Sequence, residues 1–462
     1  MPSAPISKLP RGVLALGATA ALGGLLFGFD IAIITGAGPF LLKHFQLGAL
    51  GLGWAFSSLL FGCVLGSAVT GWISDHHGRR LPLLWVAALF AVTSVATGLA
   101  PTFTLFIVAR FAGGLAVGAV SVLAPMYVSE ISPAPNRGQM GTLYQLAIVV
   151  GILVSYSVNY ALRDLGDWNW RWMFLSGALP SAFFWIILKR APDSPRYLVM
   201  AGREAEAQAV LSRWLGPAEV AAELAQIRES VAHRSSGWVE LRRPALRRPL
   251  AVGFTLAILV HVSGINTVID YAPQIIQSAG WAVDVALFST FGIGVTNLLF
   301  TLVSFRVIDR HGRKPPYILG SLGMAAALLG LMAAAASGHF TGGLVLSLIL
   351  TYIACFASCI GPVFWTLVPE IFPNRVRGEA MTVPVLTQWV ANAMVVLLFP
   401  LAFQQAGKAA TFGFLAAMAL LQAWFTWRCV PETKGRSLEE IEGLWAPKGR
   451  GTPPPAAAPR SN

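Results

Sequence analysis

Charge is what this sequence has least of. Asp, Glu, Lys and Arg make up 12% of its 462 residues, against about 25% in an ordinary soluble domain. A water-soluble chain of this length cannot coat itself with so few charges, so a fully solvated globule is excluded. Cysteine is scarce too. The four, Cys63, Cys355, Cys359 and Cys429, all lie in apolar stretches. They form no CxxC pair and no framework spacing, which argues against a disulfide scaffold. Cys355 and Cys359 share a helix face with no His or carboxylate beside them, so they read as packed thiols. No GxSxG, Walker A, His/Glu metal cluster or pair of general acids occurs, which argues against an embedded enzyme and against any cofactor. Dependence on ATP would have to come from another chain.

What is abundant is hydrophobicity, at 55% of residues, with a mean hydropathy of +0.65. Apolar runs of the roughly 20 residues that span a bilayer fall near 12–38, 49–72, 82–100, 102–128, 139–162 and 171–189. A second set falls near 249–273, 284–305, 316–337, 343–368, 379–403 and 409–429. The gaps alternate in charge. Arg79–Arg80, Arg137, the stretch from Lys189 to Arg248, Arg306 to Lys314, Arg375–Arg377 and the tail from Arg428 are basic. The others are nearly free of Lys and Arg, apart from Lys43, Arg163 and Lys408. The positive-inside rule then puts both termini in the cytoplasm, which requires an even number of spans; twelve fits. The net charge of +12 thus reads as orientation in a membrane rather than as a nucleic-acid footprint. Lys8 and Arg11 ahead of an apolar run imitate a signal peptide, but the run is long for one and carries no cleavage site. It is read as a retained first span.

The organisation expected is an N-terminal half (1–190), a cytoplasmic linker (191–248), a C-terminal half (249–430) and a cytoplasmic tail (431–462) whose Pro/Ala-rich end is disordered. AGREAEAQAVLSRWL and PAEVAAELAQIRES in the linker have the pattern of short amphipathic helices. The halves are repeats. Asp75-His-His-Gly-Arg-Arg80 returns as Asp309-Arg-His-Gly-Arg-Lys314, 234 positions on. Glu130-Ile-Ser-Pro with Arg137-Gly138 returns as Glu370-Ile-Phe-Pro with Arg377-Gly378, 240 positions on. Pro192-Asp-Ser-Pro-Arg196 has an echo in Pro431-Glu-Thr-Lys-Gly-Arg436, 239 positions on. Each motif follows the second, fourth or sixth span of its half. Two parallel six-span units with a site between them form an alternating-access architecture. A salt-bridge network at the cytoplasmic helix ends is expected from Asp75, Arg79, Arg80, Glu130, Arg137, Asp309, Arg313, Glu370 and Arg377; it makes and breaks as the halves rock.

One acid lies inside a span. A bare charge at mid-bilayer costs roughly 2.5–3.5 kcal/mol on insertion scales, so Asp30 is a functional candidate. Arg110 is its expected partner, since both sit about eight residues, or roughly 12 Å, below the outer ends of spans that run in opposite directions. A carboxylate beside a guanidinium holds its charge; parted from it in a low dielectric, it takes a proton. A cycle that breaks and remakes the pair can therefore carry one.

Six motifs in order resemble those of the sugar porter family of the major facilitator superfamily, over nearly the whole chain. They are Gly23-Gly-Leu-Leu-Phe-Gly-Phe-Asp30, Asp75…Gly-Arg-Arg80, Arg110-Phe-Ala-Gly-Gly114, PDSPR at 192–196, SGIN at 263–266 and PETKGR at 431–436. The likeness is nearest to the bacterial proton-coupled sugar symporters. It implies an all-α polytopic membrane protein of twelve transmembrane helices in two parallel halves, with short cytoplasmic helices between. Asp30 and Arg110 would be the proton-coupling pair. Gln145, Asn266, Asn297 and Gln388 would bond sugar hydroxyls, with Phe27, Trp365 and Trp389 supplying aromatic faces. Gly361–Pro362 in the tenth span would be a hinge. The seventh span departs from the pattern: Val260 and His261 stand where the family usually has a Gln pair, and Asp270 replaces the first of two tyrosines, Tyr271 keeping the second. His261 can still make one hydrogen bond to a sugar, and His261 and Asp270 add two titratable groups to the expected cavity.

The expectation is thus a monomeric secondary transporter in the cytoplasmic (inner) membrane. It is not an enzyme, binds no nucleic acid, and takes a sugar or polyol, a proton and the lipid bilayer as its partners. A passive facilitator of the same fold is the alternative, and a transporter-like nutrient sensor a more distant one.

Overall fold

The computed structural model describes residues 11–132, 137–213, 215–232, 241–373 and 376–434. Twelve helical spans long and apolar enough to cross a membrane occur among them. In order they are Ala21–His44, Ala49–His77, Arg80–Gly98, Phe103–Ile131, Leu143–Leu162 and Gly166–Leu188, then Arg247–Asp270, Val283–Ile308, Lys314–Ala336, Gly342–Glu370, Arg377–Gln405 and Gly407–Cys429. The side on which the first begins and the twelfth ends is the terminal face; the opposite side is the far face.

Packing repeats with the sequence. The first span packs on the fifth, the second on the fourth and the third on the sixth. Likewise the seventh packs on the eleventh, the eighth on the tenth and the ninth on the twelfth. The two halves are therefore built alike and point the same way. They meet where the second span packs on the eleventh and the fifth on the eighth, two contacts that the internal symmetry exchanges.

Small residues set the closest crossings, as expected where lipid supplies no hydrophobic drive between helices. Gly62 and Gly66 of the second span face Gly114 and Gly118 of the fourth. A Cβ on any of the four would collide with the backbone of the other helix. Apolar side chains turn outward elsewhere: Leu179 is 77% exposed and Leu319 66%, an arrangement that only lipid makes favourable. Trp72, Trp427 and Trp185 stand near span ends, the last with the Lys189 ammonium 3.5 Å above its ring, as interfacial anchors do.

Three spans are not single helices. The sixth joins a 3-10 turn (Gly166–Trp168) to helices Asn169–Leu175 and Ala178–Leu188. The seventh, expected as one run, is helical over Arg247–Val262 and Ile265–Asp270, with Ala272–Gln277 following it. It breaks because Gly264 is left-handed, at φ 96°. The Tyr352 hydroxyl of the tenth span takes up the freed Ser263 carbonyl, at 2.9 Å. The tenth is split at Ile360 into Gly342–Cys359 and Gly361–Glu370, where Pro362 brings no N–H to the ladder.

Between the halves, helices Pro195–Met200, Glu204–Leu211 and Pro217–Ala232 form on the terminal face. They share a small core of their own, from Leu198, Ala207, Val210, Leu211, Val220 and Leu224. Beyond Lys434 the tail expected to be disordered lies outside the described residues.

Candidate functional site

Arg110 and Asp30 meet inside the membrane. Arg110 Nη1 donates to Asp30 Oδ1 at 3.1 Å, and both terminal nitrogens reach the Asp30 carbonyl at 3.4 Å. Arg110 is 2% exposed. The position follows from local sequence: Gly114, one turn on, lets the fourth span lie against the second and carries Arg110 inward. Gly28, two residues before Asp30, lies against the Ile148 carbonyl, so the first span hugs the fifth. The Phe174 ring sits 5.2 Å from the guanidinium carbon and screens the pair from water.

Phe27, one turn before Asp30, reaches across the interface. Its ring lies 6.1 Å from that of Trp389, edge to face. Gln388 and Trp389 are buried, at 6% and 5% exposure, and Trp389 Nε1 has no hydrogen bond. One turn on, Asn392 is buried with its Nδ2 unpartnered. It was not among the expected amides; its i,i+4 spacing from Gln388 is the signal the sequence holds for it. Gln145 and Asn266 are half-buried. Asn297, also half-buried, accepts from Thr301 Oγ1 at 3.5 Å. Trp365 is not gathered with the other rings: it is 45% exposed and its ring contact is the adjacent Phe364. His261 spends one ring nitrogen on its own helix, Nδ1 donating to the Ala257 carbonyl at 3.1 Å. Val260 is buried in the core, and Asp270 is 6% exposed.

Toward the far face the halves are shut. Tyr271 is stacked between Phe56 of the second span and Phe399 of the eleventh, with centroids at 4.4 and 5.2 Å. Its hydroxyl donates to the Val396 carbonyl. Tyr160 lies 5.5 Å from Phe288, and Arg163 3.7 Å from Asp284. A cavity of about 290 Å³ remains on the far-face side of this stack, lined by Leu42, Leu52, Gln274 and Phe403 among others.

At the terminal face each half carries the same clasp. Arg79 Nη2 donates to Glu130 Oε1 at 2.8 Å and Nη1 to the Ser74 carbonyl at 2.9 Å. In the second half Arg313 takes Glu370 in a two-point grip, at 2.8 and 3.1 Å. A carboxylate then closes each clasp from the segment after the last span. Asp193 accepts from the Arg79 amide at 3.0 Å, and Glu432 accepts from the amides of Arg313 and Lys314 at 3.1 and 3.0 Å. Ser194 donates to Glu130, and Thr433 to Glu370. Gly78 and Gly312 turn left-handed at φ 81° and 85°, and a Cβ on either would strike Asp193 or Glu432. Burial opposes the charge of Glu432, but four amide donors outweigh it and hold the carboxyl below the usual Glu range. Asp193, Ser194, Glu432 and Thr433 were not among the expected network; the third repeated motif was their signal. Arg80 instead caps the sixth span, donating to the Leu188 carbonyl at 3.0 Å, and Arg377 reaches the Phe372 carbonyl at 3.3 Å. Asp75 stands one turn before Arg79, half-buried. The side chains of Arg137 and Asp309 lie outside the described residues.

Residues 16–445 match the model of a family described as sugar (and other) transporter. The chain is 36% identical over 474 residues to the D-xylose-proton symporter of Escherichia coli (strain K12), covering 94% of this chain and 96% of that one. It is 37% identical to the glucose facilitated diffusion protein of Zymomonas mobilis, covering 94% and 97%. An inward open conformation of the xylose transporter of E. coli superposes with a TM-score of 0.84 at 34% identity, covering 94% of this chain and all of that one.

Proposed function

The chain belongs to the sugar (and other) transporter family, and from that premise we propose that it moves a monosaccharide or polyol by proton-coupled symport with alternating access. The carrying observation is the buried ion pair of Asp30 and Arg110 inside two membrane spans. A purely structural role would not repay the cost of placing two charges in hydrocarbon. The named activity of the D-xylose-proton symporter supports the same reading.

The roles follow from position. Asp30 takes up and releases the proton; Arg110 holds its charge in between. Phe27 and Trp389 offer an aromatic wall, and Gln388, Asn392, Gln145, Asn266 and Asn297 offer amides for hydroxyls. Trp365, exposed beside the break at Ile360, swings onto the sugar as the tenth span bends. Each clasp joins spans of one half, so, against the expectation that it breaks as the halves rock, it makes the terminal end of each half a rigid body and rocking occurs between halves. The terminal face is cytoplasmic, by the basic gaps that border it. The protein acts as a monomer in the cytoplasmic membrane, with halves at 1–190 and 249–430 joined by the linker helices.

One proton falling through 100 mV supplies roughly 2.3 kcal/mol, enough for about fifty-fold accumulation. In proteoliposomes under a proton gradient, Asp30→Asn should abolish uphill uptake while leaving sugar exchange. Retained accumulation would sink the assignment. The likeness to a facilitated diffusion protein keeps one other reading, passive transport; wild-type uptake that ignores a protonophore would establish it. Counterflow across D-xylose, D-glucose, D-galactose, L-arabinose and myo-inositol at two pH values identifies the solute.

A further inference from the structure

The Asp30 pair uses only part of what Arg110 offers. Its Nε is buried with no hydrogen bond, and so is Asp30 Oδ2. Nη2 has only the Asp30 carbonyl, at a long 3.4 Å. A guanidinium brings five donors in a fixed fork, and a donor left unmade in a dry site is costly.

A second carboxylate belongs to the other half. Asp270, on the seventh span and therefore on the other half, is 6% exposed. No described residue gives its carboxylate a hydrogen bond or an ion pair, yet it lies within electrostatic reach of Arg110. Tyr156 of the fifth span and Tyr271 beside it also feel its charge; Asp30 of the first span shares Arg110 with it, and His261 is the other titratable side chain earlier in its own span. Cys63 of the second span feels the charges of both Asp30 and Arg110. The tenth span brings Tyr352, and both it and the eleventh carry their charges, Glu370, Arg377 and Glu379, at the terminal-face end. Arg110 is thus the one cation near Asp270 among the described residues.

We propose that Asp270 is the second carboxylate of Arg110, and that the guanidinium passes from Asp30 to Asp270 when Asp30 takes a proton. The inference rests on the reading of Asp30 as the proton site. Two carboxylates and one guanidinium carry a net charge of −1; one proton brings the trio to zero, the state a low-dielectric site favours. The exchange also replaces an ion pair within one half by an ion pair between halves. Asp270 adjoins Tyr271, the centre of the stack that shuts the far face. Protonation therefore draws the far face closed over the load. Deprotonation at the terminal face returns Arg110 to Asp30 and leaves Asp270 alone, which is the arrangement in this structure.

The test is the pH profile of uphill uptake by the full chain in proteoliposomes, beside counterflow, which needs no net proton movement. The probe is whichever of D-xylose, D-glucose, L-arabinose or myo-inositol the wild type exchanges. Asp270→Asn leaves Asp30 and Arg110 already neutral as a pair, so a proton is gained less readily. We expect counterflow to persist and the pH of half-maximal uptake to fall by at least about one unit, as expected for one charge within about 12 Å at an effective dielectric near 20. Asp270→Asn with counterflow intact and a wild-type profile overturns the proposal. If Asp270→Asn loses counterflow, Asp270→Glu decides: recovery with a near-wild-type profile supports the charge, and an equally inert Glu variant overturns it. Asp30→Asn, run in parallel, reports on the underlying reading alone, because it tests accumulation and not the shift.

Discussion

Glu432 shows how one carboxylate can finish a fold. Its folded value lies below that of a free Glu, so its contribution is full above about pH 4.5 and is lost as pH falls through the lower folded value. Glu432→Gln should therefore lower stability at pH 7 by about 1 kcal/mol, a solvent-screened figure. The gap between wild type and variant, read as the thermal midpoint in detergent, should close as pH falls below 4.5 and through the lowered folded value. A gap that is constant with pH would mean the side chain acts by shape. At this scale the sequence showed which residues matter better than what they touch. Asp30 was legible because an acid in an apolar run has few explanations, and its partner followed from helix rise. Asp193 and Glu432 were not, because their partners are backbone amides, which leave no mark on a sequence. Trp365 is expected as a wall of the site, but its orientation depends on a bend at Ile360 that sequence marks without measuring.

Among the elements, the crossing of the second and fourth spans is the most constrained. Gly114→Ala places a methyl against the Leu59 carbonyl and should cost about 1–3 kcal/mol as an overpacked contact, with a matching fall in the thermal midpoint. Gly141→Ala, in a helix with open space around it, should be neutral or stabilising by about 0.5 kcal/mol. Equal effects from the two would refute close packing as the reason for Gly114. Span number and order were legible from apolar runs and basic gaps, since both follow from the bilayer itself. The break in the seventh span was not, because Ser263-Gly264 reads as a small pair inside an apolar run. What interrupts the helix is the φ of Gly264, which Tyr352 of a distant span stabilises.

For the molecule as a whole, the closed far face is the feature that transport must undo. Tyr160 and Phe288 belong to opposite halves and lie 5.5 Å apart. Cysteines at both positions, joined by a short bifunctional reagent, should cut net uptake at least tenfold while sugar binding from the terminal face persists. Uptake that survives the cross-link would show that this contact does not part during the cycle. The duplication was legible from three motifs at nearly one offset, and the same three packing pairs in each half bear it out. Which face is shut was not legible, because a repeat encodes both states equally.

The clasps also set a clock on biosynthesis. The first half can lock once Asp193 and Ser194 have been made, whereas the second must wait for Glu432 and Thr433. At 5–20 residues per second, the interval is on the order of ten to fifty seconds. Throughout it a finished six-helix bundle sits in the membrane beside one still missing its last carboxylate.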